Sequence, residues 1–150
     1  MSSDGIRPAT AADVASVRAV TEAAYRPYTE RIGVVPAPME ADHAADVAAG
    51  RVFVTGDPVA GVLVLVRGAG HLLLESVAVA PDARGTGVGR RLLAFAEVYA
   101  RRSGLGEVRL YTNALMRENQ ALYPRYGYEL LERRTDGPYD RLHYRKRLQG

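Results

Sequence analysis

The chain has 150 residues, 47% of them hydrophobic and 25% charged, with a formal net charge of +3. That is the composition of an ordinary globular protein, and the length suits one compact domain spanning residues 1–150. Cysteine is absent, which excludes disulfides, thiolate nucleophiles and zinc–thiolate sites. No apolar run is long enough to span a bilayer. The opening stretch "MSSDGIRPAT" lacks the apolar core of a secretory signal, so a cytoplasmic, membrane-free protein is expected. His43, His71 and His143 are scattered and fit no metal-ligand spacing, so no metal is expected. Positive charge is carried almost wholly by arginine, Lys146 being the sole lysine.

In chain order, "IRPAT" reads as a short strand. "TAADVASVRAVTEAAY" follows with helical period, Val14, Val17, Thr21 and Ala24 falling on one side, and Thr10 with Asp13 resembling a capping box. "RPYTERIGVVPAPM" contains three prolines and is expected to be a loop that can include a turn of helix. "MEADHAADVAAG" reads as a short helix closed by Gly50. "RVFVTG" and "VAGVLVLVRG" are strands joined by the turn Gly56-Asp57-Pro58. "HLLLESVAV" is apolar on both faces and is expected at the centre of a sheet. "VGRRLLAFAEVYARRSG" is an amphipathic helix with Val88, Leu92, Phe95 and Tyr99 as its buried stripe. A strand "EVRLYT", a short helix "MRENQALYPRY" interrupted near Pro124, and strands "YELLERR" and "DRLHYRKRL" complete the chain. The last strand alternates Leu142, Tyr144 and Leu148 with Arg141, His143, Arg145 and Arg147, one face buried and one wet. The order predicts a mixed α/β domain around one sheet.

The stretch "RGTGVGRR", residues 84–91, stands between the central strand and the long helix. Backbone N–H groups at a helix start lack helical partners and carry the positive end of the dipole. Glycines let an anion approach them, and phosphate is the usual anion. The dinucleotide fingerprint GxGxxG fails here because Arg90 stands where the third glycine belongs, and the P-loop fails for want of Lys-Ser or Lys-Thr. What fits is Arg-x-x-Gly-x-Gly: Arg84, Gly87 and Gly89.

"SVAVAPDARGTGVGRRLL" together with "ENQALYPRYGY" resembles the GNAT acetyltransferase superfamily, whose members carry Q/R-x-x-G-x-G/A after a strand ending V-x-P. Asn119, Leu122-Tyr123 and Gly127-Tyr128 match the second signature, although many members place the asparagine a helical turn earlier. The resemblance covers nearly the whole chain. It implies the acyl-CoA N-acyltransferase fold, a mixed, mostly antiparallel sheet of six to seven strands with about four helices. It also implies a site for acetyl-coenzyme A. The pyrophosphate would rest on the amides of Gly85, Thr86, Gly87, Val88, Gly89 and Arg90, with Arg84 beside them. The pantetheine arm would lie along Ser76, Val77, Ala78 and Val79, between two splayed strands. Asn119 and Tyr123 would complete the cofactor site.

Acetyl transfer to an amine needs a neutral amine, a donor for the thioester oxygen and a proton for the leaving thiolate. Glu75 interrupts an apolar run, facing the side of Val77 and Val79, and is the candidate base. Its bland alternative is a structural ion pair with an arginine, for example Arg109. Tyr123 is the acid that the resemblance implies, and the Val79 N–H is the simplest oxyanion donor. His71 reads as a solvated strand end, and His143 lies on the wet face. His43 reads as exposed, near an acceptor region that Tyr25, Tyr28, Glu30 and Arg31 would line. Tyr28 and Glu75 are the candidate acceptor contacts.

The leading reading is an N-acetyltransferase acting on a primary amine of a small molecule, peptide or protein, by direct transfer. A non-catalytic acyl-CoA sensor is the alternative; it would need neither Glu75 nor Tyr123. A nucleic-acid-binding role ranks low because basic residues do not interleave with exposed aromatics. Dimers through a sheet edge or helix are common in the resembled family, so a homodimer is among the expectations.

Overall fold

A computed structural model describes residues 5–148. Seven strands form one sheet in the order β1-β2-β3-β4-β5-β7-β6. The strands are β1 (Arg7–Pro8), β2 (Val52–Thr55), β3 (Gly61–Arg67), β4 (Leu72–Val79), β5 (Glu107–Asn113), β6 (Glu129–Asp136) and β7 (Tyr139–Arg147). Every neighbouring pair of described strands is antiparallel except β4 and β5, which run parallel. The expected central strand is therefore fourth of seven.

Six helices accompany the sheet: α1 (Val14–Tyr25), α2 (Pro27–Ile32), α3 (Ala37–Glu40), α4 (His43–Ala48), α5 (Val88–Arg102) and α6 (Arg117–Arg125). A 3-10 turn at Ala11–Asp13 leads into α1, and the Asp13 carboxylate accepts from the Thr10 N–H at 2.7 Å, as the capping pattern predicts. No described helix is long and apolar enough to cross a membrane.

The largest departure from expectation is "RPYTERIGVVPAPM", which is mostly helical. Pro27 occupies the first turn of α2, and Pro38 the first turn of α3. There the missing N–H costs nothing and the fixed φ favours helix. Gly33 closes α2 at φ +87°, a left-handed conformation that suits glycine. Prolines that read as breakers are starters here.

Two apolar clusters sandwich the sheet. Leu63, Leu65, Leu72 and Leu74 pack with Val88, Leu92, Leu93 and Ala96 of α5 and Tyr123 of α6. Val54, Val62, Val64 and Ala78 pack with Val17 and Val20 of α1 and Val47 of α4. The buried stripe of α5 is centred on Leu92, Leu93, Ala96 and Ala100, with Phe95 and Tyr99 at its margin. Leu92 is fully buried. Leu92→Ala is therefore expected to destabilise the protein by about 2–5 kcal/mol, the usual cost of a buried cavity. Urea unfolding should show a lower midpoint with an unchanged slope.

Candidate active site

The sheet opens at its centre. Pairing of β4 with β5 covers only Leu72–Leu74 against Val108–Leu110, yet β4 continues to Val79 and β5 to Asn113. A bulge accounts for the parting. On β3 the adjacent residues Val64 and Leu65 face Ser76 and Leu74, which leaves Glu75 as an extra residue on β4. An inserted residue bends its strand and breaks the ladder locally.

The bulge also changes which way side chains point. Leu74 faces α5 with its partner Leu65, but beyond the bulge Val77 takes that side opposite Leu63, while Ala78 turns to the α1 side with Val62. Glu75 lies on the α1–α4 side, in a recess with His43, Asp46, Val64 and Tyr111. Strict alternation placed Glu75 with Val77 and Val79; the extra residue overturns that expectation.

The β4 backbone divides by parity. Ala80 N–H donates to the Ala60 carbonyl at 2.8 Å, so Ser76 and Ala78 direct their backbone groups at β3. Val77 and Val79 direct theirs at the opening. The Val77 carbonyl accepts from the Tyr25 hydroxyl at 3.0 Å. An extended ligand arm laid along this edge would thus meet residues 77 and 79, not the Ala78 backbone.

After β4 a 3-10 turn at Pro81–Ala83 brings the chain to the glycines. Gly85 (φ +78°) and Gly87 (φ +90°) are left-handed, and Gly87 caps α5. Thr86 N–H donates weakly to the Ala83 carbonyl at 3.4 Å. Among the described residues, the N–H groups of Gly85, Gly87, Val88, Gly89 and Arg90 find no acceptor outside α5, and α5 offers them none. Gly85, Thr86, Gly87 and the Arg84 side chain are exposed. A Cβ on Gly89 would meet Val79 at 3.6 Å, so α5 starts directly against the end of β4. Five free donors at the positive end of a 15-residue helix form a cradle of the size and charge a diphosphate requires.

From this cradle a groove runs past Arg84, Val79, Val77 and Tyr28 to Asn119 and Tyr123. Asn119, Tyr123, Val77 and Tyr25 also line a second cleft between the parted strands, with Glu75, Tyr111 and Arg141 on its far wall. The two spaces meet at Val77 and Tyr123. Tyr123 is buried and braced by the rings of Tyr128 at 5.8 Å and Tyr144 at 6.0 Å, and burial holds its phenol well above the usual range. Its hydroxyl bonds to no described residue. Asn119 Nδ2 donates to Thr112 Oγ1 at 2.9 Å, which ties α6 to β5.

Glu75 makes no ion pair or hydrogen bond with a described residue. Burial and the nearby Asp46 carboxylate raise its pKa, against weaker opposition from Arg51 and Arg141. It thus pairs with no described arginine, and Arg109, the example named, pairs with Glu107 instead. Tyr28 donates to Glu118 at 2.9 Å, and Arg31 pairs with the same carboxylate at 2.7 Å. Glu30 is exposed and lines neither space.

Two histidine expectations change. His43 is buried at 4% exposure, not exposed, and its Nε2 has no partner among the described residues. Burial, then Arg18, lowers its pKa and keeps the imidazole neutral at pH 7. His143 and Arg141 do not sit on a wet face: each side chain is only 16% exposed. The segment between α2 and α3 leans over this end of β7, where the Tyr139 hydroxyl donates to the Val35 carbonyl at 2.8 Å. Arg141 is the residue that strand alternation missed, because a roof from elsewhere in the chain leaves no local signal.

A family model described as Acetyltransferase (GNAT) domain matches residues 48–130. Among curated proteins, no sequence matches. Many solved structures share the fold. A PaiA N-acetyltransferase from Thermoplasma acidophilum, in complex with coenzyme A, superposes with a TM-score of 0.81 at 18% identity, covering 95% of this chain and 98% of that one. A GCN5-related N-acetyltransferase from Rhodopseudomonas palustris gives 0.77 at 21% identity, over 99% and 98% of the two chains. The ribosomal-protein-S18-alanine N-acetyltransferase from Escherichia coli gives 0.72 at 18% identity, over 97% and 95%.

Proposed function

Given that the chain belongs to the GNAT acetyltransferase family, we propose that it is an N-acetyltransferase, moving the acetyl group of acetyl-coenzyme A directly to a primary amine. The observation that carries this reading is the row of unpartnered amides at the start of α5, opening on a groove that runs into the gap between β4 and β5. A PaiA N-acetyltransferase of the same fold was crystallised with coenzyme A, which supports coenzyme A as the ligand of this groove.

Each residue then has a task. The amides of Gly85, Gly87, Val88, Gly89 and Arg90 hold the pyrophosphate, with Arg84 beside them. The edge of β4 at Val77 and Val79 aligns the pantetheine arm. The Val79 N–H, directed at the opening, stabilises the charge that develops on the thioester oxygen. Tyr123, protonated at neutral pH, donates to the departing sulfur. Glu75, on the opposite wall, accepts the proton of the incoming ammonium, directly or through water. The chain has no cysteine to carry the acetyl group, which fits a direct transfer.

The test is an amine panel assayed for thiol release from acetyl-coenzyme A. Release with at least one amine is expected. Binding of acetyl-coenzyme A without release on any amine would make the domain a sensor and overturn the proposal.

The base assignment has its own prediction. Glu75 must be ionised to act, and its raised pKa switches it on at higher pH than an ordinary glutamate. A free alkylamine loses its proton unaided only near pH ~10. Glu75→Gln should therefore lower kcat/KM about 100-fold near neutral pH, as loss of a general base does. The deficit should narrow steadily as the pH approaches the amine's own pKa. Parallel pH profiles for the two proteins would remove Glu75 as base.

A further inference from the structure

Arg141 is an unusual cation. Its side chain is 16% exposed, yet it donates no hydrogen bond to any described residue. Its nearest carboxylate oxygen, Asp136 Oδ2, is 3.5 Å away. Asp136 is already committed, accepting from Arg134 Nε at 2.9 Å and facing His143 Nε2 at 3.2 Å. The guanidinium lies against two aromatic rings, its Cζ over that of Tyr111 at 4.2 Å and over that of Tyr139 at 4.7 Å. Cation–π contacts with two rings hold the group in place while leaving its N–H donors for a partner. A largely buried guanidinium with unused donors is costly unless an acceptor arrives from outside.

Arg141 lines the cleft between the parted strands, whose walls also carry Glu75, a carboxylate with no ion pair or hydrogen bond to a described residue. The cleft therefore presents one negative and one positive group that do not pair with each other. Ile32, Pro36, Pro38 and Met116 supply its apolar lining.

We infer that the acceptor is a small amino carboxylate, its amine directed to Glu75 and Val77 and its carboxylate gripped by Arg141. This rests on the acetyltransferase reading and narrows it. A planar two-oxygen anion matches the guanidinium fork, whereas a second negative charge, as on a phosphate ester, would be repelled by Glu75. A polyamine or other multiply cationic acceptor would set positive charge against Arg141.

The test compares wild-type kcat/KM on matched pairs, each an amino acid and its carboxamide, including α- and ω-amino acids and an aminophosphonate arm. The acid of at least one pair is expected to be preferred by about 10- to 100-fold, the worth of a charged hydrogen-bonded contact. Arg141→Gln should collapse that ratio toward one, and Arg141→Lys should restore part of it. Equal use of acid and amide by the wild-type enzyme, or a preference for polyamines or aminophosphonates, overturns the inference. So does an acid preference that survives in Arg141→Gln. Should Arg141→Gln not fold, the wild-type pairs and Arg141→Lys decide. Turnover of no amine at all overturns the acetyltransferase reading itself, and this inference with it.

Discussion

Gly87→Glu is expected to abolish the rise in melting temperature that acetyl-coenzyme A gives the wild-type protein. At a ligand concentration of about 100 Kd, binding stabilises a protein by roughly 2.7 kcal/mol. For a chain of this length that corresponds to a shift of about 5–10 °C. Gly87 has φ +90°, where an L side chain is strained, and it is one of the five free amides. A carboxylate there takes up donors meant for the pyrophosphate and repels it. Strain and charge can be separated. A Cβ on Gly87 would have nothing closer than Arg91 Nη1 at 3.7 Å, so Gly87→Ala adds strain without a clash. The alanine variant should melt lower than wild type but keep a ligand-induced shift, while the glutamate variant should lose it. A full shift in Gly87→Glu would place the diphosphate elsewhere.

Tyr123→Phe carries the second large effect. Loss of a general acid typically costs about 100- to 10,000-fold in rate, so kcat should fall by at least about 100-fold. The thermal shift with acetyl-coenzyme A should stay near the wild-type value. The substitution is clean for a structural reason. Tyr123 is held by its ring, against Tyr128 and Tyr144, and its hydroxyl has no described protein partner that the change would orphan. An unchanged kcat would remove Tyr123 as proton donor. A lost thermal shift would show instead that its hydroxyl holds the ligand.

Much of this was legible in the sequence, because it is carried by local pattern. The glycine turn, the central rank of β4 and the capping of α1 each depend on a few neighbouring residues whose conformational preferences agree. The rest depends on insertion or on distant contacts. The bulge at Glu75 is one residue long and leaves the composition of "LLLESVAV" unchanged, yet it turns the carboxylate to the α1–α4 side and parts β4 from β5. The short helices α2 and α3 hide behind prolines that usually mark loops. Arg141 looks like one more wet arginine on β7 until α2, α3 and Tyr139 enclose it. The glycine turn was thus legible locally and the splayed pair of strands through the family resemblance, whereas the acceptor wall had to be read from the fold.

The central claim is that backbone amides at the mouth of α5 grip a diphosphate and aim a thioester into the gap between β4 and β5. A crystal structure of the chain grown with acetyl-coenzyme A tests it most directly. The account predicts the pyrophosphate oxygens within hydrogen-bonding distance of the amides of residues 85–90, and the thioester between Val77 and Tyr123. A diphosphate bound away from α5, or a thioester that does not reach the parted strands, would contradict it.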